Sequence, residues 1–140
     1  GTVGGRPVVF ERGSLSASLA ARAEKVRLIL DHAPERPVGR LVMHEDRPEG
    51  LWTRWRIAAT PAGDVALVEA DEGIRDGLSV GADVIRHDVV AGTVHVREAR
   101  LVECSLVPFP AFDSARVDRV AATAAGGIDP RLLRWRLTLK

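Results

Sequence analysis

The 140-residue sequence is poor in the features that mark disulfide-rich, membrane-spanning and strongly basic proteins. Cys104 is the only cysteine, which excludes an internal disulfide and fits a reducing compartment. No apolar run approaches the roughly 20 residues of a membrane-spanning helix, and residues 1–6 lack the apolar stretch of a signal peptide. The sequence has 20 basic and 19 acidic residues, and the net charge of +1 gives no reason to expect a nucleic-acid or membrane partner.

The length fits one domain, and most of the sequence is patterned as β-strands. Short segments alternate apolar and polar residues with a period of two, or end in a compact apolar run, as strands do. These predicted strands are residues 8–11, 26–30, 38–44, 51–57, 79–86, 93–97 and 100–107. Residues 34–37 are predicted as a loop, and residues 47–50 as a turn.

Helical patterns are fewer and shorter. Residues 15–24 form either a short helix or a loop, and Thr60 is placed to cap a helix over residues 61–76. Another helix is predicted from Asp113 to Gly126. The last segment, residues 127–140, is predicted as a basic helix that packs on the domain or on a partner. The pattern therefore predicts an α+β fold, mostly β, with two or three short helices.

Residues 77–81, Gly-Leu-Ser-Val-Gly, contain the most informative side chain, Ser79. A serine hydroxyl is a weak nucleophile unless a base takes its proton and a third group orients that base. His32 ends one apolar run and supplies a base. Glu103 lies within a second apolar run, where an unpaired carboxylate would be costly, so it is expected to be paired. The candidate set, in chain order, is His32, Ser79 and Glu103.

Other residues compete with Ser79 as the candidate nucleophile, and another fold also carries its motif. Gly-x-Ser-x-Gly is also the nucleophile elbow of α/β-hydrolases, but that elbow needs a strand before the serine and a helix after it. Here the predicted order is reversed. An α/β-hydrolase also needs an acid and then a histidine after the serine, and the only histidines there are His87 and His95. Ser105 lies two residues from Glu103 on the same strand face, either as a competing nucleophile or as a hydrogen-bond partner of the triad. Cys104 should face the other way and is expected in the core.

Two neighbouring acidic groups have simpler interpretations. Asp31 precedes His32 on what is predicted to be an extended strand, where adjacent side chains point to opposite faces. We therefore do not expect it to orient that imidazole. The run His44-Glu45-Asp46 lacks the spacing of a zinc site and is interpreted as a solvated turn. No metal ligands are expected.

Three blocks, in this order and at these separations, resemble the prohead proteases of tailed bacteriophages, which are distant relatives of the herpesvirus assemblin. The first is the apolar run into His32, followed by Pro-Val-Gly-Arg at residues 37–40. The second is Asp-Gly-Leu-Ser-Val-Gly at residues 76–81, and the third is Leu-Val-Glu-Cys-Ser-Leu-Val-Pro-Phe-Pro-Ala at residues 101–111. The resemblance spans roughly residues 24–118.

The resemblance implies a fold and a set of roles. The fold would be a small closed or partly open β-barrel flanked by two or three short helices, as in herpesvirus proteases, with the protease domain at residues 1–126. Ser79 would be the nucleophile, His32 the general base and Glu103 the orienting acid. The backbone N–H groups of Ala111 and Phe112 would stabilise the oxyanion, since Pro108 and Pro110 have none.

The resemblance also implies a function. The chain would be a serine endopeptidase that cleaves scaffold, or the scaffolding region of the major capsid protein, during head maturation, with self-cleavage and without a cofactor. It would self-associate as a dimer or higher assembly, and act in the host cytoplasm inside the assembling procapsid. Two alternatives stay open at this point: a non-catalytic capsid-assembly module of the same fold, and a small serine esterase or amidase.

Overall fold

A computed structural model describes residues 1–120 and 131–137. In that part of the chain the strands are β1 (Thr2–Val3), β2 (Arg6–Phe10), β3 (Arg27–Leu30), β4 (Ala33–Arg47), β5 (Gly50–Ile57), β6 (Gly77–Val90), β7 (Thr93–Val107), β8 (Arg116–Val120) and β9 (Leu132–Leu137). The helices are α1 (Ser16–Arg22) and α2 (Pro61–Asp71), and a 3-10 turn covers Ala23–Lys25. The prediction of a mostly β domain with few, short helices is confirmed. Neither of the two described helices has the length and apolar character needed to cross a membrane.

Tight turns connect the antiparallel strand pairs. Asp31 and His32 form the whole connection between β3 and β4, with φ angles of 53° and 58°. Ala91 and Gly92 form the turn between β6 and β7, with φ angles of 48° and 80°. Positive φ at both central residues is the type I′ arrangement, whose twist matches that of the flanking strands. The predicted turn between β4 and β5 is confirmed, with Arg47 paired to Gly50.

Strand β7 pairs with three other strands of the sheet. Its first part pairs in parallel with β2 and its last part in parallel with β3, while β6 runs antiparallel along it. The strand order is β1-β2-β7-β3-β4-β5-β9-β8-β6, with the further pairing of β7 and β6. The end of β3 and the beginning of β6 therefore lie on either side of the C-terminal part of β7.

One face of these strands builds the hydrophobic core. Leu78 of β6, Leu106 of β7 and Trp55 of β5 are fully buried within one cluster. Because side chains alternate between the two faces of a strand, the residues next to these leucines point away from the core. This outer face carries Ser79 and Ser105, so apolar packing on one face fixes where the two serines point.

The start of α2 agrees with the prediction, and its end does not. Thr60 is extended, and its hydroxyl accepts a hydrogen bond from the Gly63 N–H at 3.2 Å, as an N-cap should. The helix ends at Asp71 rather than at Asp76. Gly73 (φ 70°) donates to the Ala70 carbonyl, and the next N–H donates to the Glu69 carbonyl, which is the Schellman way of ending a helix.

Three further local predictions were wrong. The helix predicted from Asp113 to Gly126 is wrong over Arg116–Val120, which form strand β8 because valines favour an extended chain. Residues 121–126 of that prediction lie outside the described residues. Strand β9 lies within residues 127–140, predicted as a helix: Leu133, Trp135 and Leu137 also fit a period of two, and β9 pairs with β5 and β8. Residues 34–37 belong to β4, because the two-residue turn starts that strand at once.

Candidate active site

The three predicted catalytic side chains lie on adjacent strands. His32 follows β3, Ser79 is on β6, and Glu103 is on β7 between them. In the antiparallel ladder Ser79 is opposite Ser105, and Gly81 is opposite Glu103. Directly opposed residues have Cβ positions about 5 Å apart on the same face. Segments separated by dozens of residues in the sequence are therefore neighbours on the outer face of the sheet.

Hydrogen bonds join His32, Glu103 and Ser105. His32 Nδ1 lies 2.8 Å from Glu103 Oε1, and the Ser105 hydroxyl donates to Glu103 Oε2 at 2.7 Å. The His32 backbone N–H donates to Ser105 Oγ at 3.1 Å. Because an ionised carboxylate can only accept, the proton of this contact is on Nδ1, which leaves Nε2 as the basic nitrogen. Glu103 and Ser105 thus fix both the tautomer and the position of the imidazole.

His32 is held in a backbone conformation that costs free energy. Non-glycine residues with positive φ are uncommon, although Asp and His are among those that tolerate it, and each costs about 1–2 kcal/mol. The prediction of an extended strand end at Asp31 and His32 was wrong, because these two residues form the turn itself. Strained residues of this kind persist only where surrounding contacts hold them.

The two serines of this site differ in access. Ser105 is completely buried, whereas Ser79 retains 7% of its surface. The Ser105 hydroxyl already serves the Glu103 carboxylate and the His32 backbone. Among the described residues, no hydrogen bond joins Ser79 to His32. Contacts of this kind are often long before substrate binds, so the missing bond does not exclude Ser79.

Gly81 makes room for the Glu103 carboxylate. A Cβ at this position would overlap Glu103 Oε1 and would lie 3.0 Å from its Cδ. The oxygen concerned is the one that contacts His32. Glycine is required here by the side chain opposite it on β7.

Replacing Gly81 with alanine is expected to lower activity about 10²-fold while leaving the fold intact. The methyl group would push the flexible end of Glu103 away from the imidazole, whereas alanine within a strand costs no stability relative to glycine. Cleavage rate and melting temperature, measured together, check this. Val102→Ala is the control, because Val102 is an exposed neighbour of Glu103 on β7. Equal activity of Gly81→Ala and wild type would contradict the role given to this glycine.

Gly77 and the loop after β7 form the other side of the site. A Cβ on Gly77 would lie 2.6 Å from Pro110 Cδ and 2.7 Å from the Val107 carbonyl oxygen. The loop therefore lies over β6 two residues from Ser79. Phe112 anchors it, since its buried ring packs edge-on against Phe10 with centroids 6.1 Å apart. The two predicted oxyanion donors, Ala111 and Phe112, belong to this loop.

Ion pairs surround the turn that carries His32. Asp31 is paired with Arg36 at 2.9 Å and with Arg75, whose Nε donates to Glu69 at 2.9 Å. Burial lowers the pKa of Arg75, but its hydrogen bonds to Asp31 and Glu69 outweigh this and the pKa is raised overall. Asp31 thus pairs with arginines rather than with the imidazole. The prediction that it does not orient His32 agrees with these contacts, but its reason was wrong, because the two residues form a turn and not an extended strand.

The structure also bears on the α/β-hydrolase, cysteine-nucleophile and metal-site interpretations of the sequence. Ser79 lies inside β6 rather than at a strand–helix elbow, which disfavours an α/β-hydrolase. Cys104 is fully buried, and burial, followed by the nearby Glu103 charge, raises the pKa of its thiol well above the usual value. His44-Glu45-Asp46 is part of β4 rather than of a turn. Within the described residues, no group of three His, Cys, Asp or Glu side chains could hold a metal.

Comparison with known proteins gives one match. A family model described as caudovirus prohead serine protease matches residues 4–127 of the 140. The matched range includes all three strands that carry the site. Neither the curated proteins nor the solved structures gave a match.

Proposed function

The chain belongs to the caudovirus prohead serine protease family, and on that premise we propose that Ser79, His32 and Glu103 are its catalytic triad. The family is one of capsid-maturation proteases, which act on a capsid or scaffold protein inside the assembling procapsid. The observation that carries the triad is the His32 Nδ1 to Glu103 contact of 2.8 Å beside the strand of Ser79. The proposed substrate is the scaffold or the scaffolding region of the major capsid protein, and the enzyme is proposed to cleave itself as well.

The proposed reaction follows from these groups. Ser79 Oγ attacks the scissile carbonyl carbon while His32 Nε2 takes the hydroxyl proton. Glu103 stabilises the imidazolium that forms. When the tetrahedral intermediate collapses, the C–N bond breaks, the imidazolium gives its proton to the leaving amine, and an acyl-Ser79 remains. Water, deprotonated by His32, then releases the acid and restores the serine.

The loop after β7 is the proposed source of the oxyanion donors. Preorganised N–H groups aimed at the developing negative charge are the usual stabilisers of this intermediate. Two observations support Ala111 and Phe112: the contact of their loop with β6 near Ser79, and the buried Phe112 ring that fixes it. Phe109, by contrast, is 89% exposed at the tip of the same loop.

The barrel and self-association predicted from the resemblance are part of the proposal. Pairings between β3, β4, β5, β9, β8, β6 and β7, with β7 pairing again to β3, support the partly open form of that barrel. The weakest link is between β6 and β8, where Gly77 and Arg116 are the paired residues. Self-association is supported by exposed apolar side chains on α2, Val65 and Val68.

The reaction class is tested by expressing the chain together with its capsid or scaffold protein. We expect defined fragments, mapped by mass spectrometry, that are absent when Ser79→Ala replaces the wild type. Hydrolysis of short acyl esters without any protein cleavage would contradict an endopeptidase and favour an esterase. Procapsid assembly without cleavage or ester turnover would favour a non-catalytic assembly module.

A further inference from the structure

Arg75 connects the two chain segments that carry the proposed base and nucleophile. It lies four residues before Ser79, in the connection between α2 and β6. Its Nη1 donates to Asp31 Oδ1, and Asp31 is the first residue of the two-residue turn whose second residue is His32. Within the part of the chain that the structure describes, the Arg75–Asp31 contact is the side-chain link between that turn and the segment that leads into β6.

Arg75 is itself held by Glu69, through both its backbone and its side chain. The Schellman end of α2 brings its backbone N–H to the Glu69 carbonyl at 3.0 Å. Its Nε donates to the Glu69 carboxylate at 2.9 Å, and its side chain is only 16% exposed. Its guanidinium can serve Glu69 and Asp31 together because it offers several donors in a rigid plane. A side chain fixed in this way can hold another residue in place.

The turn that carries His32 needs such support. Both of its residues have positive φ, a conformation that is unfavourable for residues other than glycine. The backbone is held by the Asp31 N–H, which donates to the Leu106 carbonyl at 3.0 Å, and by the His32 N–H on Ser105. Both contacts hold the turn against β7. The contact with Arg75 adds a link to the segment that leads into β6, the strand of Ser79.

We propose that Arg75 is a positioning residue, which holds the Asp31–His32 turn so that the His32 imidazole stays aligned between Glu103 and Ser79. This proposal rests on the proposed function. Arg75 acts through Asp31 and touches none of the reacting atoms. Misplacement of a catalytic group by about 1 Å can cost about 10²-fold in rate, so a single link to the turn is sufficient to matter.

Arg36 provides a matched control. It also pairs with Asp31, at 2.9 Å, but its side chain is 47% exposed and it belongs to β4. It therefore offers Asp31 the same charge without a link to the strand of Ser79. Surface pairs of this kind contribute little. Arg36→Met is expected to change neither turnover nor the geometry of His32.

The first arm of the experiment is kinetic. Arg75→Met is expected to lower kcat about 10- to 100-fold, with KM changed by less than about 3-fold. Arg75→Lys keeps the charge but has a single donor nitrogen instead of the planar guanidinium, and it should recover part of that loss. In a cycle with Asp31→Asn the two losses should not multiply, because Asn removes the charge from the same contact that Arg75→Met breaks. An unchanged kcat in Arg75→Met, or fully multiplicative losses, would overturn the proposal.

The second arm observes His32 directly by side-chain nitrogen–proton NMR. The His32 Nδ1–H signal should broaden or disappear in Arg75→Met. His95 is an internal reference, since its Nδ1 lies 2.8 Å from Glu11 Oε1. Loss of both signals, or of neither, would show that Arg75 does not act on His32 specifically. If Arg75→Met does not fold, Arg75→Lys is measured instead: a partial loss of kcat with a broadened His32 signal is expected, and an unchanged kcat and His32 signal would overturn the proposal.

The two arms separate this proposal from the proposed function. If the His32 signal responds as expected but the wild-type chain cleaves no protein, the positioning role stands and the protease proposal fails. If the wild type cleaves and Ser79→Ala does not, while the His32 signal and kcat ignore Arg75, the positioning role alone fails.

Discussion

Replacing Ser79 with alanine is expected to lower cleavage by about 10⁴-fold or more, the largest effect of any single change in this chain. In the proposed mechanism this hydroxyl forms the bond to the substrate, and Ser79 keeps 7% of its surface accessible. Ser105, its cross-strand neighbour, is fully buried and already engaged with Glu103 and His32. Cleavage-product formation over time, compared with wild type at equal concentration, measures the loss.

Ser105→Ala is the matched control for this prediction. Removing its hydroxyl takes one hydrogen bond from Glu103 and one from the His32 backbone, so we expect about a 10-fold loss rather than inactivation. A fluorophosphonate probe should label Ser79 in the wild type and in Ser105→Ala, but label nothing in Ser79→Ala. Inactivation by Ser105→Ala together with labelling of Ser105 would reverse the assignment.

The pairing of Glu103 and the faces of its neighbours on β7 could be predicted from the sequence. A carboxylate in an apolar run implies a partner, and Glu103 has one in His32. The alternation of faces along β7 places Glu103 and Ser105 together and Cys104 on the other side, in agreement with the structure. These inferences depend only on a period of two, which the sequence shows directly.

The geometry around His32 could not be predicted in the same way. An apolar run that ends in Asp-His fits either an extended strand end or a two-residue turn. The turn is not the obvious prediction, because type I′ turns favour Asn-Gly over this pair. The roles of Gly81 and Arg75 depend on the register between β6 and β7 and on where α2 ends. Asp31 and Arg75 are far apart in the sequence, and no local pattern indicates that they pair. The space that Gly81 leaves for Glu103 becomes evident only once the residue opposite it on β7 is known.

The C-terminal strands show a different limit. Leu132–Leu137 contains apolar residues that fit one face of a helix and also a period of two. Short segments of this kind are decided by their neighbours. Here β5 and β8 each offer an edge to pair with, and pairing satisfies the backbone of β9 on both sides.

Glu103→Gln is expected to lower cleavage about 10³- to 10⁴-fold, although it changes neither the size nor the shape of the side chain. The Ser105 hydroxyl donates to Glu103 Oε2 and would select the amide oxygen for that position. The amide NH₂ group would then face His32 Nδ1, which must accept. The imidazole proton would move to Nε2, and the nitrogen that should take the serine proton would already carry one.

The same contacts predict that Ser105→Ala partly rescues Glu103→Gln. Without the hydroxyl, the amide can rotate and present its oxygen to His32 Nδ1–H, which restores the tautomer that catalysis needs. The double variant should therefore be more active than Glu103→Gln alone, although Ser105→Ala by itself lowers activity. Steady-state rates for the four proteins of this cycle measure the coupling. A double variant as inactive as the product of the two single losses would mean that Ser105 does not orient the group at position 103.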